Sequence, residues 1–218
     1  MGQLFFLKLL NVVILLSGVA GFVRWKEIKD SYWKWFPVYL IILGLLNLLA
    51  FYMIDTKNIK SNQWLVIYLI IPFEFLFAFW LFLKKAETRP QKTLILTGMG
   101  VYLLSFFIEI LLKEEMKELY FLSFSYTMGN IFMLIFILLY FWKLSVSEKI
   151  LFFYRERMFW VCVGMLFFWL GSLPYYGLFN YMVKNFMNIL PAYAWLMLSL
   201  NYLMYTLFAV SFIWGKEN

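Results

Sequence analysis

Residues 64–83 read WLVIYLIIPFEFLFAFWLFL. Twenty residues rising 1.5 Å each make a helix about 30 Å long, which matches the hydrocarbon core of a bilayer. Two residues do not fit a plain lipid-facing rod. Pro72 has no backbone N–H, so it frees the carbonyl one turn earlier, at Tyr68. Such breaks persist in membranes only where neighbours, water or a ligand re-satisfy the backbone. Glu74 puts a carboxyl at mid-depth, which costs roughly 2.5–3.5 kcal/mol even on the lenient insertion scale. No other apolar run carries a charged residue so near its centre. An ionisable group there is a candidate functional site.

Outward from this stretch, six more runs share its character. Seven spans are expected at about 4–23, 36–54, 64–83, 93–112, 119–142, 158–179 and 189–214. The chain has 218 residues, 65% hydrophobic and 14% charged, whereas a soluble domain is about half apolar and a quarter charged. The excess runs the whole length, so a soluble body on a single anchor is excluded. The expected fold is all-α, a polytopic membrane bundle of seven transmembrane helices forming one domain over 1–218. The longest connection, 143–157, is too short for a separate catalytic or nucleic-acid-binding domain. Function then resides in the bundle, its loops or a partner.

Composition removes several chemistries. There is no His, and Cys162 is the one Cys. An intrachain disulfide, a His- or Cys-rich metal site and a histidine base are excluded. No cofactor or metal is expected. The last span has no Lys for a retinal Schiff base. The histidines required by ceramidase-like and adiponectin-receptor-like hydrolases are missing. The only Pro-Gln, Pro90-Gln91, lies in a loop rather than in a span as PQ-loop transporters require. The start, MGQLFFLKLLNVVILLSGVAGF, reads as a first span and not as a cleaved signal. No basic residue precedes its apolar core, and Arg24, Lys26 and Lys29 follow it. Position 6 is Phe, so myristoylation is not indicated.

The net charge of +7 is explained by orientation, and nucleic acid is not an expected partner. Thirteen Lys and Arg fall in loops 24–35, 84–92 and 143–157 and in the tail, against five at Lys57, Lys60, Lys113, Lys117 and Lys184. Basic loops stay cytoplasmic. The N-terminus is therefore expected outside and the C-terminus in the cytoplasm. The loop RWKEIKDSYWKWF (24–36) reads as an aromatic belt with cations facing anionic headgroups. The stretch ILFFYRER (150–157) reads as a short amphipathic turn on the inner surface.

Other polar residues sort by depth. Lys8 lies one turn from the outer end, where its ammonium snorkels to the interface rather than reaching Glu74. Ser17 and Gly21, like Gly44, Asn47 and Ala50, suit close helix packing. Glu109 and Lys113 form an expected i,i+4 pair. Gly171, Ser172 and Pro174 predict a kink in span 6. Glu74, Asn130 and Asn201 each lie ten to twelve residues from the outer end of their span, and Asn11 and Asn47 about seven. Five helices thus offer polar groups in one layer, from the midplane outward. One reading is a ligand- or proton-binding pocket open to the outside, with Glu74 at its floor and the Pro72 and Pro174 breaks beside it. The other is hydrogen-bonded glue between helices.

A faint internal repeat is also visible. LGLLNLLA (43–50) resembles LGSLPYYG (170–177), and WL with LFA in span 3 recurs in span 7 at an offset of 131. A three-plus-one-plus-three parallel repeat would suit a small transporter.

Three segments carry a family likeness: LKLLNVVILL (7–16), IPFEFLF (71–77) and FWLGSLPYYGLFNY (168–181). In these the chain resembles uncharacterised seven-helix integral membrane proteins common in Bacteroidota. The resemblance implies an inner-membrane protein associated with signalling genes and hands over no catalytic residues. The expected function is a non-enzymatic sensor or interaction protein. It would bind a small or lipid-like ligand from outside and act through a membrane or cytoplasmic partner. The alternative is a small-solute transporter, proton-coupled through Glu74. An intramembrane enzyme would need a second catalytic group beside this one acid. A scaffold would leave Glu74 purely structural.

Overall fold

Seven apolar runs become seven helices in a computed structural model that describes residues 2–112 and 121–216. They are α1 (Gly2–Val23), α2 (Trp35–Asp55), α3 (Ile59–Lys85), α4 (Arg89–Leu111), α5 (Ser123–Ser145), α6 (Arg157–Gly177) and α7 (Leu190–Trp214). Each is long and apolar enough to cross a membrane. Their outward surfaces carry Leu16, Leu45, Leu104, Leu138 and Leu170, all well exposed. Side chains like these spread over five helices are stable facing lipid and not water. The chain is a polytopic membrane protein.

The helices pack in chain order around a ring that closes between α1 and α7. The most extensive contact joins α6 and α7. It depends on Gly164, where a Cβ would stand only 3.2 Å from the Met204 carbonyl oxygen. Absence of a side chain lets the two backbones approach, as small residues do between membrane helices. The α1–α7 contact is polar at two points. The Tyr202 hydroxyl donates to the Phe6 carbonyl oxygen at 2.6 Å. Ser17 Oγ lies 2.7 Å from the Tyr205 carbonyl oxygen and 2.8 Å from that of Val13, and its single proton serves one of them at a time.

Helix ends follow local chemistry. Thr88 caps α4 in a reciprocal box: the Gln91 N–H donates to Thr88 Oγ1, and the Thr88 N–H donates to Gln91 Oε1, each at 3.4 Å. No α5 residue caps the start of that helix. The carboxylate of Glu109 on α4 does so instead, accepting from the N–H groups of Phe124 at 3.1 Å and Ser125 at 2.8 Å. An anion at a helix N-terminus is favourable. Lys113, the expected partner of Glu109, lies outside the described residues. The connection between α5 and α6 holds a 3-10 segment, Glu148–Arg155, with no buried residue.

Helix α3 is irregular. Between α-helical segments Ile59–Leu65 and Ile71–Lys85 it widens into a π turn over Val66–Ile70. The turn ends just ahead of Pro72, where the missing N–H breaks the regular ladder. By contrast, α6 stays helical through Gly171 and Pro174 to Gly177.

Candidate functional site

Helix α3 leans into the ring, and its residues diverge toward different neighbours. Phe75 is wholly buried, with ring centroids 4.6 Å from Tyr102 on α4, 5.4 Å from Tyr126 on α5 and 4.5 Å from Trp169 on α6. Phe77 stacks on Tyr39 of α2 with centroids 3.8 Å apart. Glu74, between them, turns to α7. Its Oε1 accepts a hydrogen bond from the Tyr205 hydroxyl at 3.2 Å.

Tyr205 is one of five tyrosines within electrostatic reach of this carboxyl. The others are Tyr39, Tyr102, Tyr126 and Tyr176. The five come from α2, α4, α5, α6 and α7, one from each helix except α1 and α3 itself. The hydroxyl of Tyr102 is buried with no hydrogen-bond partner among the described residues. A buried donor left unpaired is costly. A phenol hydroxyl both donates and accepts, so Tyr205 can hydrogen-bond Glu74 in either protonation state.

Glu74 is densely surrounded by protein, yet its surface is of intermediate accessibility. Part of the carboxyl group's residue thus borders a space that admits a water-sized sphere. A void of about 10 Å³, room for a single water, lies beside Tyr102 and Tyr126 toward the π turn.

The five sequence-flagged polar residues do not converge. Asn130 is fully buried, and its Nδ2 lies 3.0 Å from both the Trp169 carbonyl oxygen and Ser172 Oγ, which joins α5 to α6. Asn47 donates to the Leu43 carbonyl oxygen and Asn201 to that of Met197, both at 2.9 Å and both within their own helices. Asn11 is buried on α1. No hydrogen bond links any of these asparagines to Glu74 among the described residues. Lys8 is exposed, with its ammonium 5.0 Å from the centroid of the Phe51 ring, and no ion pair to Glu74 occurs among the described residues. Pro72 is buried two residues before the acid. At Gly171 a Cβ would stand 2.3 Å from Leu200 Cδ1, so this glycine lets α7 approach α6.

The sequence places Tyr205 midway down span 7 and Tyr176 at the outer end of span 6, but ties neither to Glu74. There are 15 Tyr and 26 Phe, so one aromatic more on a helix carries little signal. One hint was available. The offset of 131 that aligns WL and LFA in α3 and α7 also registers Glu74 with Tyr205.

Among the described residues no group of His, Cys, Asp and Glu is arranged to hold a metal ion. Comparison with known proteins gave no match to a family model, a curated protein or a solved structure.

Proposed function

We propose that this membrane protein is a non-enzymatic sensor or interaction protein, with the Glu74–Tyr205 contact as its switch. The proposal places it in the cytoplasmic membrane, N-terminus outside and basic loops within. The positive bias of those loops and the motif likeness to Bacteroidota seven-helix proteins both support that placement.

One observation carries the reading: the mid-span carboxyl of Glu74 is hydrogen-bonded across the bundle, from the irregular helix to α7. A π turn gives α3 a place to change register. A carboxyl that makes or loses a tyrosine bond changes the relative energy of two α3 positions, which a two-state switch requires. α3 ends at Lys85 among the basic loops, where a cytoplasmic partner would read its position.

The test compares a deletion strain with strains expressing Glu74→Gln or Tyr205→Phe at the native level. Both variants should reproduce the deletion's change in transcript profile. A native profile in both would contradict the reading.

Proton-coupled transport of a small solute is the second reading, favoured by a mid-span acid that is only partly covered. It requires that Glu74→Gln abolish pH-dependent uptake in proteoliposomes.

A further inference from the structure

A cavity lies away from Glu74, at the basic end. It holds about 250 Å³ between the ends of α3 and α5, the start of α4 and the segment before α6. Pockets that enclose a whole drug-sized ligand run roughly 300–1,000 Å³. This one is below that range and suits part of a larger molecule.

Its two halves differ in chemistry. The inner wall is apolar, with Phe82 and Phe136 buried. Leu94 and Leu139 also line it but remain substantially exposed, so the apolar wall continues onto the lipid-facing surface of α4 and α5. The rim carries three ammonium groups and two carboxylates. Glu156 is shared: Lys85 lies 3.5 Å from its Oε2 and Lys149 lies 3.4 Å from its Oε1. Lys143 pairs with Glu87. Three cations against two anions leave one positive charge over. The Tyr140 hydroxyl at the wall is buried with no hydrogen-bond partner among the described residues.

An apolar cleft open sideways to the bilayer, under a cationic rim at the basic ends of the helices, matches one class of molecule. We propose that this pocket binds one membrane phospholipid with an anionic headgroup. The phosphate lies among Lys85, Lys143 and Lys149, and one acyl chain lies against Leu94 and Leu139. The chain reaches its wall without leaving the membrane, and most of the lipid stays in the bilayer, as the small volume requires. Basic pockets between membrane helices hold anionic headgroups for the same reason. This site stands independently of the Glu74 switch.

The full chain, purified in mild detergent, is titrated with dioctanoyl phosphatidylglycerol, dioctanoyl phosphatidylcholine or inorganic phosphate, and bound species are counted by native mass spectrometry. One lysine near anionic lipid contributes about fivefold in affinity. The glycerol lipid should therefore bind about fivefold tighter than the choline lipid, while phosphate alone binds negligibly. Lys143→Gln with Lys149→Gln should erase that preference. Leu94→Trp, confirmed folded by its melting curve, should weaken both lipids by filling the cleft. Equal binding of the two lipids, a preference unchanged by the lysine pair, or lipid binding unchanged by Leu94→Trp would overturn the proposal. Phosphate that displaces the glycerol lipid at equal concentration would also overturn it, because the acyl chain would then contribute nothing.

Discussion

The Tyr205 hydroxyl of α7 donates to Glu74 Oε1 of α3 at 3.2 Å. The two backbones share little other close approach, so this bond is the main polar tie between the irregular helix and α7. Its two partners are unequal. Tyr205 is held by packing, 2% exposed and edge-on to Phe208. Glu74 is less completely covered, of intermediate accessibility.

The first prediction concerns the energy of that tie. Polar pairs between membrane helices average about 0.6 kcal/mol, with a maximum near 1.7. A double-mutant cycle of Glu74→Gln and Tyr205→Phe, read from unfolding in detergent, should give a coupling energy in that range. Strictly additive effects would show that the contact contributes no stability.

Packing behind the carboxyl sets a second prediction. A Cβ on Gly129 of α5 would stand 2.6 Å from Phe75 Cε1 and 2.8 Å from Tyr102 Cδ2. Gly129→Ala must push Phe75, the neighbour of Glu74, or part α5 from α3. Overpacking of this kind costs about 1–3 kcal/mol. Thermal melting should show that loss, and the variant should also lose the Glu74-dependent output.

The asparagines separate into two classes. Asn130→Ala removes bonds that cross from α5 to α6 and should destabilise the protein by about 1–2 kcal/mol while leaving its output intact. Asn201→Ala removes a bond within α7 and should change stability by under about 0.5 kcal/mol. Melting curves of the two variants, side by side, check the contrast.

A fourth prediction is pH-dependent. The Lys143 ammonium, hydrogen-bonded to Glu87 in the α3–α4 connection, holds that carboxyl below its ordinary range. A carboxyl lowered in the folded state stabilises the protein above its unfolded pKa, about 4.3. That stability is lost as pH falls through the lowered folded value. The Glu87 side chain is 65% exposed, so solvent screening holds its contribution at pH 7 under about 1 kcal/mol. Native and Glu87→Gln proteins should differ slightly in melting temperature at pH 7 and converge as pH falls through the lowered Glu87 value.

The helices were legible because crossing a bilayer demands long apolar runs and little else does. Glu74 was legible because a carboxyl at mid-run is costly. Its partner was not. Depth can be counted at 1.5 Å per residue, but the direction a side chain faces is set by packing between helices. Asn47 and Asn201 lie in the counted layer yet bond their own helices. Tyr205, one turn beyond Asn201, makes the bond to the acid. The basic cavity is illegible in the sequence for another reason. Along the chain Lys85, Lys143 and Lys149 carry only a signal of orientation, and only folding brings their three segments around one cleft. The capping of α5 by Glu109 is likewise a relation between helices, invisible to i,i+4 spacing.

The most direct measurement is the infrared carboxyl spectrum of the protein in lipid nanodiscs, recorded as native minus Tyr205→Phe. A hydrogen-bonded carboxyl absorbs at a different frequency from a free one, so a difference band should appear. The same subtraction in a Glu74→Gln background should show none. A flat native-minus-Tyr205→Phe spectrum, or a band that survives loss of Glu74, would contradict the tie between α3 and α7.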